Sequence, residues 1–419
     1  MASTLEKSLG LDELNYPVPA HSNSIKYMLG GITIFCIALA VLSGIFLAMF
    51  YNPDPAKAHA SIEYINSEVY LGDFVRNVHF WSANIAMLLV LFHVIRVFIN
   101  GSYKRPRQAT WLSGVLLFAI MIGLFFSGTV LKWDQEAVEA QGHVDAVAEK
   151  FGTIGKLVIS TAGESVPYLT RLYVAHIGIL ILLLFAVLFV HLFLIKKHGI
   201  SPKPVYDAAV RTTHGMGSSN FRDHLKKLTG FGFLTIGFIA TLSLLAPAAL
   251  GAPGVSGMEV TKPPWLFLPF YGLENEFGLN ALLWAPIAIF ALMLIVPFVD
   301  RNQWLSPARR KVVVTIGALL IAVLVVLGYN AWRSPAHSHL GSIRINIAQT
   351  VSNLLFPIAS AHGAQADEEE HMDAMASNNA SVAVEEVNDD QPSKRVSELG
   401  VIFSLILIFT FAGALLVLR

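Results

Sequence analysis

Eight stretches of this chain are each apolar over about the twenty residues that a helix needs to cross the hydrocarbon core of a bilayer. They lie at residues 27–51, 75–99, 111–131, 172–195, 230–250, 280–299, 311–331 and 399–418. This pattern decides the fold class. No water reaches the bilayer core, so each segment must satisfy its own backbone polar groups, and apolar runs of this length do so as helices. Of 419 residues, 54% are hydrophobic and only 14% charged, against about a quarter charged in a soluble domain. The expected fold is all-α, a polytopic membrane bundle of eight transmembrane helices. Lys+Arg and Asp+Glu are 29 each, a balance that argues against nucleic acid as a partner. One cysteine, Cys36, excludes an internal disulfide framework, a Cys-ligated iron–sulfur cluster and a CxxCH haem attachment site.

Basic residues set the expected orientation. With a cytoplasmic N-terminus, the inner segments 1–26, 100–110, 196–229 and 300–311 carry sixteen Lys and Arg, and the much longer outer segments carry ten. Positive-inside bias therefore favours both termini in the cytoplasm. The N-terminus is polar and shows no cleavable signal peptide. Outer loops 132–172 and 251–279 contain Gly, Pro and aromatic residues and have room for short surface helices. The outer stretch 332–398 is acidic and polar, with no apparent packed core, although 343–361 is apolar enough to lie on the membrane surface.

Four histidines fall inside the spans: His79 and His93 in the second, His176 and His191 in the fourth. An isolated intramembrane histidine is most simply a hydrogen bond to a neighbouring helix; four in two helices, 14 and 15 residues apart, ask for more. At 1.5 Å per residue each pair spans about 21–22 Å along its axis, on roughly one face. With the two helices placed antiparallel, His79 is expected beside His176 near the outer surface and His93 beside His191 near the inner one. Such pairs suit axial ligation of two stacked haems; zinc suits them worse, for want of third and fourth ligands at the same depth. Gly30 and Gly44 in the first span, and Gly114 and Gly128 in the third, are each 14 apart and repeat the histidine period. Ordinary small-residue helix packing explains one such pair; two favour close approach to two flat groups. Arg76 and Arg96, one turn from His79 and His93, are candidate partners for haem propionates, with a positive-inside anchor as the alternative for Arg96.

With these residues the chain resembles cytochrome b of the quinol–cytochrome c or plastocyanin oxidoreductases. RNVHFWSAN, LFHVIRVFINGSYKRPR, FSGTVLKWDQ and LTRLYVAHIG…FVHLFLIKKHGIS read as variants of that family's segments, over about residues 25–205. The 15-residue gap is similar to the chloroplast-type branch. The resemblance implies a dihaem four-helix bundle at 27–205, after a cytoplasmic segment 1–26. A C-terminal transmembrane region with the outer quinol-site loop would follow at 206–331, then the acidic loop 332–398 and a last helix at 399–419. It implies two non-covalent b-type haems, His79 and His176 ligating the outer iron and His93 and His191 the inner. Quinol, menaquinol or ubiquinol, would be oxidised at the outer face and quinone reduced near the inner face, with proton translocation. The implied partners are a Rieske-type iron–sulfur protein, a c-type cytochrome and a second copy of the chain. The implied location is the bacterial cytoplasmic membrane.

The sequence departs from that family in places. Its outer-site Pro-Glu-Trp-Tyr motif corresponds here to Pro263-Pro264-Trp265-Leu266, and proline cannot act as a base. Glu274 first and Asp134 second are the candidates to replace the missing acid; the bland alternative for each is a solvated loop carboxylate. Lys132 replaces the proline of Leu-Pro-Trp, either altering the pocket field or snorkelling to the surface. Met28 stands where the chloroplast-type branch attaches a third haem through cysteine, and Cys36 lies eight residues on, so a covalent third haem is not expected and Cys36 reads as a small core residue. His198 and Asp223 are inner quinone-site candidates, with cytoplasmic surface charge as the alternative. The replaced acid keeps open a second function, a dihaem anchor that passes quinol electrons to another redox enzyme without bifurcation. A transporter using the histidines for proton relay is a third, and an optical spectrum separates it.

Overall fold

The computed structural model describes residues 8, 11–155, 166–203, 218–258, 260–334 and 391–418. Within them the regular structure is helical apart from one two-stranded ribbon. Seven helices are long and apolar enough to cross a membrane. They are α1 (Ile25–Ala48), α3 (Gly72–Ile99), α4 (Gln108–Val130), α6 (Tyr168–His198), α7 (Phe221–Leu245), α9 (Leu279–Val299) and α10 (Lys311–Arg333), and their bounds follow the expected spans to within a few residues, except where α7 begins nine residues early. Shorter helices are α2 (Ala58–Ser67), α5 (Gln135–Glu149) and α8 (Leu268–Phe277). The last two fold the loops 132–172 and 251–279, expected on the outer side, in part into helix. The eighth expected stretch lies in α11 (Gln391–Leu418), whose apolar part is Val401–Val417. The acidic tract from 335 to 390, including 343–361, lies outside the described residues.

Local chemistry sets the boundaries. Leu71 turns the chain at a φ of 57° before α3, and a Cβ on Gly72 would lie 2.0 Å from the Ile65 carbonyl oxygen, so the α2–α3 corner admits glycine alone. Asp134 caps α5 by accepting from the Ala137 N–H, and Asn220 caps α7 by accepting from the Arg222 N–H. Strand β1 (Pro17–Pro19) pairs antiparallel with β2 (Ser218–Asn220), Pro17 opposite Asn220, which ties the N-terminal segment to the start of α7.

Helix α1 packs on α3 and α4 on α6; α7 lies against α1 and α3, and α8 against α10. The core runs through the first five spans, with Cys36, Val78, Ala86, Met87, Phe118, Leu184 and Ile239 buried in one cluster. Cys36 is fully enclosed. Little of α6 or α10 is buried within the chain, Ala331 being the one enclosed residue of α10, as expected of apolar helices that meet lipid.

An ion cluster joins the first half of the chain to the second. Asp300, just after α9, accepts from the Tyr103 hydroxyl at 2.6 Å, Lys104 Nζ at 2.9 Å and Arg310 Nε at 2.8 Å. Arg310 also donates to the Ile99 carbonyl at 3.0 Å. Burial alone would raise the Asp300 carboxyl, but the hydrogen bonds from Tyr103, Lys104 and Arg310 outweigh it and hold the group below its ordinary 3.8. Its depressed pKa means that the stability it contributes is present at neutral pH and lost as pH falls through that lowered value. Asp300→Ala leaves Arg310 and Lys104 buried without their carboxylate and should cost about 3–5 kcal/mol. The expected readout is a lower melting temperature in detergent than Asp223→Ala, a substitution at an exposed carboxylate, produces.

Candidate functional site

The four intramembrane histidines line the space between the α1/α3 pair and the α4/α6 pair. The ring centroids of His79 and His176 are 6.5 Å apart, and His93 lies within electrostatic reach of His191. The N-terminal histidine of α3 therefore meets the N-terminal histidine of α6. The two helices run in the same direction, which corrects the antiparallel placement expected from sequence. The reason is topological: α4 crosses between them and returns the chain to the side from which α3 began.

Each histidine is backed by one glycine of the neighbouring helix. A Cβ on Gly30 would come within 3.0 Å of His93 Cε1, and one on Gly44 within 3.0 Å of His79 Cε1. On the other pair, Gly114 faces His191 at 3.2 Å and Gly128 faces His176 at 3.3 Å. The imidazoles thus sit directly on the helix backbone, where any side chain would push them away.

Serines next to three of these glycines fix the rings. Ser127 Oγ is 2.7 Å from His176 Nδ1, Ser113 Oγ 2.9 Å from His191 Nδ1 and Ser43 Oγ 3.3 Å from His79 Nδ1. Each hydroxyl donates its own proton to a carbonyl of its helix, Gly123, Thr110 and Leu39 respectively, so it accepts from the imidazole. His79 Nδ1 also donates to the Ala40 carbonyl at 2.8 Å, and a carbonyl can only accept. These partners assign the proton of all three rings to Nδ1 and leave the lone pair on Nε2. Leu29 stands where the fourth serine would be, and His93 Nδ1 is enclosed without a hydrogen bond.

Helix α6 carries a π turn at Ala175–Ile179, which contains His176. A π turn holds one residue more than an α turn. Fifteen residues from His176 to His191 therefore reach nearly the register that fourteen give from His79 to His93.

Other expected residues fall as follows. Arg96 stacks over the Tyr27 ring at 3.9 Å, with Nε and Nη2 buried and unpaired. Arg76 donates to the carbonyls of Ala248 and Ala249 at 2.9 and 3.0 Å. Trp265 donates to Asn84 Oδ1 at 2.8 Å, and Phe267 lies edge-on to Phe125 and Phe126; Leu266 packs on the main core. Pro264 accepts from the Phe267 N–H at 2.8 Å, and Pro263 precedes it in the same strap. Asp134 is buried and occupied: it caps α5, accepts from the Gly251 N–H at 3.1 Å and pairs with Lys132 at 3.1 Å. Lys132 lies between Asp134 and Glu136. Burial alone would lower its pKa, but those two carboxylates outweigh it and raise the group above its usual value; burial raises the Glu136 carboxyl. Glu274 is buried against His143, Oε2 to Nε2 3.3 Å. His198 ends α6 with Nδ1 enclosed and unbonded, while Asp223 is exposed and pairs with Lys226 at 3.6 Å; no hydrogen bond or ion pair joins His198 to Asp223 among the described residues.

The donor set suits a planar group held from both sides. Among the described residues no three His, Cys, Asp or Glu side chains converge as a bare metal would require. Two metal–imidazole bonds of about 2 Å place ring centres a little over 6 Å apart, close to the 6.5 Å between His79 and His176.

The profile of the family Cytochrome b/b6/petB matches residues 14–199, the segment that carries all four histidines and their glycines. The cytochrome b subunit of the menaquinol:cytochrome c reductase of Bacillus subtilis (strain 168) is 37% identical over 201 residues, 45% of this chain and 90% of the relative. The chain belongs to the cytochrome b family. Cytochrome b6 of Heliobacterium modesticaldum is 36% identical over 194 residues, 45% of this chain and 91% of its own. Cytochrome b6 of Mastigocladus laminosus is 37% identical over 199 residues, 46% and 92%. These matches cover less than half of the chain. A solved chain titled "Hyperthermophilic respiratory Complex III" aligns over 99% of both chains with a TM-score of 0.65 and 18% identity, so the fold shared with that chain includes α7 to α11.

Ser43, Ser113, Ser127, His143 and Tyr27 were not legible as site residues from spacing alone. The signal for the serines is a Ser-Gly dipeptide repeated at 43–44, 113–114 and 127–128. Gly30→Val and Gly44→Val should each force an imidazole off the backbone and reduce assembled protein in membranes severalfold. Gly142→Ala, where an added Cβ meets nothing within 4 Å, should leave it unchanged or gain about 0.5–1 kcal/mol. Immunoblots of membranes and thermal melts check this pair of outcomes.

Proposed function

We propose that this cytochrome b is the haem-bearing membrane subunit of a quinol:cytochrome c oxidoreductase complex, with menaquinol as the favoured donor. The observation that carries the reading is two facing pairs of imidazoles at two depths, three of the four rings (His79, His176 and His191) having Nδ1–H committed to the adjacent helix and Nε2 left with its lone pair. His79 and His176 would hold the outer haem iron, His93 and His191 the inner. When bound, the two haems supply one-electron steps that carry charge across the bilayer. The chain's part is to hold His79, His176 and His191 in one tautomer and orientation, as outer-shell partners do for metal-bound histidine, and to seat His93 against Gly30. Arg96, with Nε and Nη2 buried and without a hydrogen bond, suits an inner-haem propionate. Arg76, bound to two carbonyls, retains donors for the outer one.

In this reading quinol is oxidised in the outer region between α5, the 260–267 strap and α8, with proton release outside, and quinone is reduced near His198 at the inner end of α6. The 27–205 bundle is the dihaem unit and 206–331 supplies most of the outer loop. A Rieske-type iron–sulfur protein and a c-type cytochrome complete turnover, and the subunit forms a homodimer in the bacterial cytoplasmic membrane with both termini inside. The names of the relatives and the sixteen-to-ten excess of inner-side basic residues support this.

His93→Leu or His191→Leu should abolish the inner haem and leave the outer; His79→Leu or His176→Leu the converse. Redox titration of the b-band absorbance in membranes reads this as loss of one of two midpoint potentials. Two unchanged potentials in any of the four variants would sink the assignment. Co-purification of an iron–sulfur subunit separates the reading from a dihaem anchor without bifurcation.

A further inference from the structure

Glu274 is a carboxylate on α8 whose side chain is 6% exposed, and its one partner among the described residues is His143 of α5, itself 25% exposed. A buried charge held for stability alone is usually given several donors; Asp300 has four, from Tyr103, Lys104, Asn302 and Arg310. His143 Nδ1 lies 2.8 Å from the Glu139 carbonyl, which only accepts, so the Nδ1 position carries a proton and Nε2 is the titrating nitrogen. Its 3.3 Å approach to Glu274 Oε2 leaves room for one shared proton. With none, two lone pairs face each other; with one, the pair is a hydrogen-bonded acid and base.

We infer that Glu274 and His143 form the proton exit of the outer quinol site, Glu274 as its buried end and His143 as its solvent end. The inference rests on the outer quinol site of the proposed function. Placement supports it. The strap Pro263–Phe267 leads into α8, and Glu274 follows two turns after Phe267, whose ring lies against α4. Helix α5 is fastened to the same strap by Glu139, which accepts from the Thr261 N–H and hydroxyl. Pro264 offers no base in the strap itself. The two quinol O–H bonds break in turn, each proton passing to a Glu274 oxygen; the Glu274 O–H then breaks as Nε2–H of His143 forms, and the imidazolium releases that proton to outer water before the next follows. The electrons leave to the iron–sulfur partner and the outer haem.

Neighbouring ionisable groups are otherwise engaged. The Glu139 carboxylate holds Thr261, Asp145 accepts from Gln141, Lys150 donates to Asn280 and Arg333 to Tyr329. Tyr271 is buried one turn before Glu274, and Glu276 is exposed.

The test is steady-state quinol oxidation by the whole complex in native membranes, from about pH 5.5 to 9, for Glu274→Gln, His143→Gln, the double variant and Glu274→Asp. Loss of a positioned base costs about 10²–10⁴-fold at most, so each Gln variant should lower kcat by about tenfold or more near pH 6, with KM within about twofold and haem spectra unchanged. The deficit should shrink as pH rises and quinol ionises unaided. Because the two act in series, the double variant should be no slower than the slower single one, and Glu274→Asp should recover part of the rate. An unchanged kcat and pH profile in either Gln variant, or additive losses in the double, overturns the exit. If Glu274→Gln fails to assemble its haems, His143→Gln at the more exposed position decides by the same criterion. A wild-type complex that carries no haem or oxidises no quinol sinks the proposed function itself, a different result from normal turnover in the variants.

Discussion

Everything the bundle can do depends on a hydrogen bond between an imidazole and the backbone or serine of the helix beside it. An intramembrane histidine without such a bond would rotate about two side-chain torsions, and its lone pair would have no fixed direction. The glycine lets the ring reach the neighbouring helix, and the adjacent hydroxyl or carbonyl then takes the Nδ1 proton. A contact that looks like helix packing therefore also sets protonation. Three of the four rings are held in this way, and His93 stands apart because Leu29 occupies the serine's place.

The face of the bundle that carries α5 and α8 is organised on different terms. There the structure uses carboxylates as fasteners: Asp134 closes the turn into α5 onto Gly251, and Glu139 clasps Thr261. Both consume their oxygens in backbone hydrogen bonds. Glu274 has the burial of Asp134 without its donors, which gives it a different character from the acids around it. On the opposite side of the membrane, the Asp300 cluster fixes the α3–α4 and α9–α10 turns to each other, so the two halves of the chain meet through ionic contacts as well as apolar ones.

Much of this could be read from sequence, because hydrophobic length and spacing are properties of single helices. The spans, the four histidines and the four-glycine period all follow from counting along one element. Counting could not supply relations between elements. The direction of α6 relative to α3 was misjudged, since periodicity says nothing of how many crossings lie between two helices. His143 gave no signal: it sits in an outer segment of mixed composition, and its partner lies in a helix far along the chain. Asp134 was visible as an acid in the right loop, but its role as a cap depends on a turn that spacing does not describe.

The π turn around His176 has a consequence for how this bundle tolerates change in length. It stores a surplus residue in a wider loop of backbone, so gain or loss of one position there alters only that loop. Removing a residue from 175–179 would tighten it to an ordinary α turn and leave His191 on its face; the same deletion anywhere between 180 and 190 would swing His191 by about 100°. Two lineages can therefore differ by one residue between these ligands and still present both imidazoles to the same partners.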